Sequence, residues 1–401
     1  MASLPRLVDQ ARQTRAGAEQ LAGVDAAGIT SRAALATLPV IRKHELLERQ
    51  QAERRAGGDP FGGFSAIGWQ ALQGLRPARR VFQSPGPIYE PEGHAPDYWR
   101  FGRALFAAGL RAGDLVHNSF SYHLTPAGSM METAAHAIGC TVFPGGIGNT
   151  ELQLQAMAEL GANAYAGTPS FLRIMLEKAD EAGIPLPALR KAAVSGEAFP
   201  AALREQFSRR GIEAYQSYGT ADLGLVAYET AARQGLVLDE GVIVEIVRPG
   251  TGTPVPDGEV GELVVTVLNA DYPLVRFGTG DLSAVLAGPC PTGRTNARIK
   301  GWMGRADQTA KVRGMFVHPS QVAEVLRRHP EVARARLVIE GELANDRMTL
   351  HCEVQAAAEG LDAALGQTVR EVTKLRSEVN LCAPGTLPND GKVIEDARRI
   401  G

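Results

Sequence analysis

The segment from Gln216 to Asp222 carries side chains that could hold a nucleotide. It reads Gln-Ser-Tyr-Gly-Thr-Ala-Asp and follows an apolar run. A tight glycine turn at a strand end would bring Tyr218, Thr220 and Asp222 into one crevice. They would offer an aromatic face for a base, a hydroxyl for a phosphate and a carboxylate for Mg²⁺. A plain turn that carries Tyr-Gly-Thr is the commoner explanation, so this segment alone is weak evidence.

Two later segments carry residues that suit the same kind of ligand. Residues 275–282 read Val-Arg-Phe-Gly-Thr-Gly-Asp-Leu, in which two glycines and Asp281 end an apolar strand. A short acid beside bare backbone suits a bidentate hold on ribose hydroxyls. Residues 304–308 read Gly-Arg-Ala-Asp-Gln and precede a basic stretch and a helix. Taken singly, a strand-ending turn and a solvated charged loop explain these two segments as well.

The hydrophobic pattern indicates which elements would position these residues. From about residue 97 to 230, short apolar runs alternate with helical stretches, which predicts crossover units and a parallel sheet. Ligand sites in such sheets lie at the carboxyl ends of the strands. After residue 240, valine-rich alternating strands indicate an antiparallel, barrel-like unit. A mixed α+β module follows from about residue 308.

Composition and charge restrict the class of partner. The 401 residues are 44% hydrophobic and carry a formal net charge of -2, so there is material for a sizeable core but no electrostatic attraction for nucleic acid or an anionic membrane. The first residues are polar and acidic where a secretory signal would need an apolar core. We therefore expect a cytoplasmic protein with a small-molecule partner. The four cysteines have no metal-ligand or redox spacing and are expected to be free thiols.

Taken in order, the motifs resemble the adenylate-forming superfamily of acyl-CoA synthetases. These motifs are Tyr-Gly-x-x-acid, Arg-x-Gly-x-Gly-Asp-Leu, Gly-Arg-x-Asp and a terminal Gly-Lys pair. Residues 304–308 and 313–321 are similar to the phenylacetate-CoA ligase branch in particular. The match runs from about residue 80 to 400. Four ordered motifs are specific together, although each one singly is not.

The resemblance implies an α/β fold with two domains. Residues 1–306 would form a large body of mixed and parallel sheets flanked by helices, with the barrel-like β unit, and residues 307–401 a small, mobile α+β lid. It also implies a ligase that activates an aryl acid, similar to phenylacetate, with ATP and Mg²⁺ and transfers it to CoA with release of AMP. The expected partners are the acid, ATP and CoA, and the candidate assembly is a homodimer.

The resemblance also assigns roles to individual positions. Those expected to contact the nucleotide or its metal are Ser84, Ser195, Gly196, Glu197, Tyr218, Gly219, Thr220, Asp222, Asp281 and Arg305. Among them, Asp222 stands where the family usually has a glutamate that engages Mg²⁺, and Asp281 would hold the ribose. Asp307 matches the hinge of the lid. Lys392 matches the catalytic lysine of the first half-reaction, which lets a carboxylate approach the α-phosphate of ATP.

Two segments, residues 121–128 and 167–171, border the aromatic acid in the resembled branch. Tyr122, His123, Thr168 and Phe171 are the expected lining of an apolar slot with one polar handle. A core tyrosine and a helix-capping threonine are the alternative explanation of the same residues.

The sequence departs from the family at the phosphate loop. That loop is usually rich in Ser, Thr and Gly and ends Gly-Lys-Pro, whereas residues 83–91 here read Gln-Ser-Pro-Gly-Pro-Ile-Tyr-Glu-Pro. Proline has no N-H to offer, and losing two amide contacts at roughly 1.5–3 kcal/mol each would weaken ATP binding by about 10²–10⁴. Ser84 and Gly86 could form a different cradle. Two alternatives therefore stay open: an impaired nucleotide- or acyl-binding homologue, and an adenylating enzyme with a non-CoA acceptor.

A second departure concerns a structural metal. Some members of the resembled branch carry a cysteine-histidine zinc site, but residues 290–295 here keep only Cys290 of the two cysteines. One thiolate cannot hold a four-coordinate zinc, so the predicted metal is catalytic Mg²⁺ alone.

Overall fold

The computed structural model describes residues 1–69, 75–247, 252–306, 308–313, 315–317, 319–341, 346–356, 358–388 and 393–398. The chain divides into two compact units, the body Met1–Gly304 and the C-terminal unit Arg305–Gly401. Within the described residues, no helix has the length and apolar character needed to span a membrane.

The helices are α1 Leu4–Arg12, α2 Arg15–Gln20, α3 Arg32–Ala36, α4 Lys43–Arg55, α5 Gly102–Ala107, α6 Ala127–Ala137, α7 Thr150–Leu160, α8 Pro169–Ala182, α9 Ala201–Arg209, α10 Pro319–Arg328 and α11 Leu361–Thr373. The strands are β1 Ile41–Arg42, β2 Ile67–Gly68, β3 Arg76–Pro77, β4 Arg80–Ser84, β5 Ile88–Glu92, β6 Leu115–Asn118, β7 Thr141–Phe143, β8 Ala164–Gly167, β9 Lys191–Val194, β10 Glu213–Thr220, β11 Gly224–Glu229, β12 Leu236–Leu238, β13 Val242–Val247, β14 Gly261–Val267, β15 Phe277–Ser283, β16 Val285–Leu286, β17 Arg298–Ile299, β18 Ala310–Val312, β19 Met315–Val317, β20 Val332–Glu340, β21 Arg347–Val354, β22 Glu378–Cys382 and β23 Ile394–Asp396.

A nine-stranded sheet organises the body. Its order is β16-β17-β12-β11-β10-β9-β8-β6-β7, and the five strands from β10 to β7 pair in parallel. Helices α6 to α9 connect these parallel strands in turn. Side chains alternate between two cores on the two faces of the sheet, as β8 shows: Ala164 and Ala166 join one cluster and Tyr165 the other. The predicted parallel α/β architecture is confirmed.

The valine-rich strands form a second sheet of the body. Strands β13, β14 and β15 pair antiparallel, as the alternating pattern predicts. The fourth strand, β1, comes from the N-terminal segment and pairs parallel with β15. The first 55 residues are therefore helical for the most part and also contribute an edge strand to this sheet.

The C-terminal unit is an α+β module, as predicted. Four of its strands form a sheet in the order β22-β21-β20-β23, and β18 and β19 pair with each other. Helices α10 and α11 pack with the four-stranded sheet around a core that includes Leu337, Leu350 and Leu365. Helix α11 ends at Thr373. Lys374 follows it with a φ of 63° in the left-handed region, which stops helical hydrogen bonding there.

Candidate nucleotide-binding site

The Tyr-Gly-Thr segment lies at the end of β10, beside β11. A register shift between Tyr218 and Gly219 makes this part of the strand a bulge, so the expected tight turn begins only after Thr220. A Cβ on Gly219 would lie 2.6 Å from the carbonyl oxygen of Gly224 and 2.8 Å from the ring of Phe101. Glycine is required there because the backbones approach too closely for any side chain.

The structure brings Tyr218 and Asp281 together. The hydroxyl of Tyr218 donates to Oδ2 of Asp281 at 2.7 Å, and Nε1 of Trp302 donates to Oδ1 at 3.0 Å. Asp281 is only 7% exposed, whereas Trp302 is 36% exposed. The glycine-containing segments of β10 and β15 therefore meet at one carboxylate, and an accessible indole borders it. Asp281 lies inside β15 and not at the end of a strand, where the sequence predicts it. The sequence reading missed Trp302; its one signal was an isolated tryptophan between Gly301 and Gly304.

The predicted adenine floor lies on the strand next to Tyr218. Ser195 follows β9, and its hydroxyl donates to the carbonyl oxygen of Ser217 in β10 at 2.8 Å. Gly196 has a φ of 84°, a conformation that favours glycine. Glu197 accepts a hydrogen bond from the backbone N-H of Ser170 at 2.6 Å. The end of β9 thus connects the Tyr218 side of the site to the start of α8.

The predicted acyl-pocket residues lie in different surroundings. Tyr122 is half-buried, and its hydroxyl donates to Glu132 at 2.8 Å and accepts from Asn118 at 2.7 Å. Burial and the Glu132 carboxylate raise the pKa of Tyr122. His123 is exposed. The Tyr122 hydroxyl is therefore held by two partners, and the predicted substrate contacts of Tyr122 and His123 stay predictions.

The start of α8 shows the capping role that the sequence left open. The hydroxyl of Thr168 accepts from the backbone N-H of Phe171 at 3.3 Å, which is an N-cap. Phe171 packs against the core cluster that contains Tyr165 and Phe207. These contacts give both residues a structural function; the predicted substrate contacts of Thr168 and Phe171 stay predictions.

The segment that corresponds to the family's phosphate loop forms a tight hairpin. We call this hairpin, residues 80–92, the phosphate hairpin. Strands β4 and β5 pair from Arg80 opposite Glu92 to Ser84 opposite Ile88, which leaves a turn of Pro85, Gly86 and Pro87. The hydroxyl of Ser84 donates to Oε1 of Glu90, and both side chains are buried. In this geometry Ser84 does not present its hydroxyl to a ligand, and Glu90 does not face solvent, where it would repel phosphates.

Asp222 lies beside the phosphate hairpin, in a buried cluster of charge. Nζ of Lys43, the first residue of α4, is 2.7 Å from Oδ2 of Asp222. The side chain of Asp222 has no exposed surface, and that of Lys43 is 32% exposed. Oδ1 of Asp222 and Oε2 of Glu90 have no hydrogen-bond partner among the described residues. The charge of Asp222, after burial itself, is the main cause that raises the pKa of Glu90.

These surroundings do not fit Asp222 to the predicted Mg²⁺ site. Mg²⁺ requires octahedral oxygen ligands and retains several waters. A carboxylate with no exposed surface leaves no room for those waters, and an ammonium group at 2.7 Å occupies the face where the cation would bind. The cationic partner of Asp222 is therefore the ammonium group of Lys43.

Replacement of Glu90 by glutamine should flatten the dependence of stability on pH. Glu90 has a raised pKa in the folded protein, so it stays protonated while the unfolded chain ionises above the ordinary glutamate pKa. Between the pKa of the glutamate in the unfolded chain and the raised pKa of Glu90, the unfolded state therefore holds fewer protons than the folded state. In this pH range the free energy of unfolding falls as pH rises, by up to about 1.4 kcal/mol per pH unit. Glu90→Gln removes this pH-dependent contribution to stability and keeps an oxygen that accepts the hydrogen bond of Ser84. Thermal melts between pH 5 and pH 8 would refute the prediction if both proteins had the same slope.

Three further predicted residues belong to the C-terminal part of the chain. Arg305 is the first residue of the C-terminal unit. Asp307 and Lys392 lie outside the described residues. Their hinge and catalytic roles stay predictions.

The comparisons with known proteins agree with this geometry. The model of the AMP-binding enzyme family matches residues 100–267. The phenylacetate-coenzyme A ligase of Thermus thermophilus is 30% identical over 349 residues, 83% of this chain and 75% of that protein. The phenylacetate-coenzyme A ligase of Aromatoleum evansii is 30% identical over 316 residues, 74% of this chain and 71% of that protein.

Among solved structures, the chain is similar to a 2-hydroxyisobutyryl-CoA ligase in complex with 2-HIB-AMP and CoA. The TM-score is 0.78 at 23% identity, covering 100% of this chain and 89% of that chain. At this identity the likeness shows a shared fold.

Proposed function

We propose, from the premise that this chain belongs to the phenylacetate-coenzyme A ligase family of AMP-binding enzymes, that it activates an aryl carboxylic acid with ATP and transfers the acyl group to CoA. AMP-forming acyl-CoA ligation is the activity of the enzyme. The aryl class of acid is the part that we infer from the relatives.

The reaction has two steps. A carboxylate oxygen of the acid attacks the α-phosphorus of ATP, and the bond to the β-phosphate oxygen breaks to release pyrophosphate. The thiol of CoA then attacks the acyl carbon of the adenylate, loses its proton and displaces AMP. We propose that Mg²⁺ takes part as well, where it would offset part of the negative charge of ATP. The first step joins two anions, so a cation that contacts both in the transition state accelerates it. Lys392 is the candidate for that cation.

The meeting of Tyr218, Trp302 and Asp281 is the observation that carries this proposal. Two donors fix the direction of this buried carboxylate, and a carboxylate held in one direction suits the two hydroxyls of a ribose. The tyrosine ring beside it supplies a face for the base. The end of β9 borders the same strand, so adenine could lie between Tyr218 and residues 195–197.

Carboxylate-dependent exchange of pyrophosphate into ATP tests the proposal. We expect exchange with aryl acids to exceed that with fatty and small aliphatic acids, and AMP release to require CoA. Nucleotide binding without exchange across the whole panel would favour the impaired binding homologue. Exchange without CoA-dependent release of AMP would favour an amine or a carrier-protein thiol as the acceptor.

Tryptophan fluorescence should report occupation of the ribose site. Trp302 is 36% exposed and donates to the carboxylate that we expect to bind ribose, so AMP should change both its solvent contact and its hydrogen bond. We expect a saturable change in emission on titration with AMP, and its loss in Trp302→Phe. Trp69→Phe is the matched control, since Trp69 is 41% exposed and lies in the N-terminal part of the body. A change that persists in Trp302→Phe would contradict the assignment.

A further inference from the structure

The phosphate hairpin supplies few hydrogen-bond donors at its turn. Of Pro85, Gly86 and Pro87, only Gly86 carries a backbone N-H. The hydroxyl of Ser84 donates inward to Glu90. The charge of a triphosphate needs donors or cations aimed at it. If this enzyme uses ATP, groups outside the turn must provide them.

Helix α4 lies along the phosphate hairpin and is the element placed to do so. The side-chain amide of Gln50 donates to the carbonyl oxygen of Tyr89 at 3.0 Å and accepts from the N-H of Tyr89 at 2.8 Å. Near the other end of the helix, the guanidinium of Arg54 lies 4.9 Å from the centre of the Tyr89 ring. These contacts fix α4 against β5, and α4 begins at Lys43.

Lys43 is the exposed member of the buried cluster. Ser84, Glu90 and Asp222 are 4%, 0% and 2% exposed, whereas the side chain of Lys43 is 32% exposed. An anion that approaches this cluster from solvent therefore meets the ammonium group before any carboxylate. Because an ammonium group has three donors, it can hold the Asp222 carboxylate and a phosphate oxygen at the same time.

We propose that Lys43 binds the β- or γ-phosphate of ATP and supplies, in place of a protein-bound Mg²⁺, the positive charge that the proline-containing hairpin does not provide. Asp222 is then a positioning residue that aims the ammonium group. This inference rests on the proposed use of ATP. It assigns a function to a residue of the N-terminal segment that neither the motifs nor the resemblance identified.

The proposal predicts a selective loss of affinity. Lys43→Met should weaken ATP and pyrophosphate binding by about 10- to 10²-fold, the range for one charged hydrogen bond, because both ligands carry the phosphates in question. AMP lacks the β- and γ-phosphates and should bind within about twofold of the wild type. Lys43→Arg keeps the charge and should retain most of the ATP affinity.

The experiment is calorimetric titration of the full-length protein with ATP, AMP and pyrophosphate, with Mg²⁺ and with EDTA, in the absence of acid and CoA. Lys43→Met leaves a buried carboxylate unpaired and could unfold the protein. The double variant Lys43→Met/Asp222→Asn removes that charge and should fold, as a thermal melt would show, while still binding ATP weakly. Arg49→Met is the matched control, because it removes one cation from the same helix at a similar exposure of 27%.

The outcomes separate this inference from the proposed function. A loss confined to ATP and pyrophosphate, with wild-type ATP binding retained in EDTA, supports Lys43. Equal losses for ATP and AMP, a loss of the same size in Arg49→Met, or ATP binding by the wild type only when Mg²⁺ is present would each overturn it and leave the ligase intact. Wild-type protein that binds no nucleotide would overturn the proposed function itself.

Discussion

Replacement of Asp281 by asparagine is expected to weaken binding of both ATP and AMP by about 10²-fold or more. The carboxylate is 7% exposed and is held by the Tyr218 hydroxyl and the Trp302 indole, so its direction is fixed. Two charge-assisted hydrogen bonds to ribose contribute roughly 1.5–3 kcal/mol each, which corresponds to about 10²–10⁴ in affinity. Asparagine keeps the size of the side chain but loses the charge and one acceptor.

Calorimetry with AMP and ATP would measure this effect. Tyr218→Phe is a useful comparison because it keeps the aromatic face and the carboxylate and removes only the donor to Asp281; its loss should stay below about tenfold, the range of one neutral hydrogen bond. If Asp281→Asn bound AMP as tightly as the wild type, the ribose would have to lie elsewhere. A melt of each variant would separate loss of binding from loss of folding.

Replacement of Lys392 by alanine should lower adenylation by about 10²-fold or more and spare the thioester step. The expectation comes from the Gly-Lys pair and from the repulsion between a carboxylate and the α-phosphate, which a cation relieves in the transition state. Pyrophosphate exchange measures the first step. CoA-dependent AMP release from a preformed acyl-adenylate measures the second.

Lys374 provides the control for Lys392. It is another lysine of the C-terminal unit, and its ammonium donates to the backbone carbonyl oxygen of Glu371 on the surface. Lys374→Ala should leave both half-reactions unchanged. Equal losses in the two half-reactions of Lys392→Ala would show that this lysine is not specific to adenylation.

The three sites are separable by experiment. Substitution of Asp281 should weaken binding of every adenine nucleotide, since each carries the ribose. Substitution of Lys43 should weaken binding only of ligands that carry the β- and γ-phosphates. Substitution of Lys392 should lower the rate of the adenylation half-reaction alone. One panel of ligands and half-reactions therefore distinguishes binding of the nucleoside, binding of the phosphates and chemistry.

The meeting of Tyr218 with Asp281 could be anticipated from the sequence. Each residue belongs to a glycine-containing motif, and the order of these motifs along the chain predicts one shared nucleotide site. The structure adds that Tyr218 lies in β10 and Asp281 in β15, strands of two different sheets. The contact between Ser84 and Glu90 could also have been predicted from the sequence. A three-residue turn that pairs Ser84 with Ile88 puts Ser84 and Glu90 diagonally on one face of the hairpin.

The partner of Asp222 could not be anticipated in the same way. Lys43 precedes it by 179 residues in a helix whose sequence is merely polar, and only packing of that helix against β5 brings the two together. Strand β1 could not be predicted from the sequence either, because two residues are too few to show a periodic hydrophobic pattern. The same applies to Trp302, whose side chain could have been a surface residue. Each of these features depends on tertiary contacts that local pattern does not encode.

The two hydrogen bonds between Gln50 and the backbone of Tyr89 make α4 and the phosphate hairpin structurally dependent on each other. Gln50 is 0% exposed and its amide satisfies both backbone groups of one residue. A loop transplanted from a relative in place of residues 84–90 would leave that amide buried without partners wherever its backbone departs from the path of β5, at a cost of about 1–3 kcal/mol. Recombination between family members should therefore yield working chimaeras only when α4 and the hairpin are inherited from the same parent.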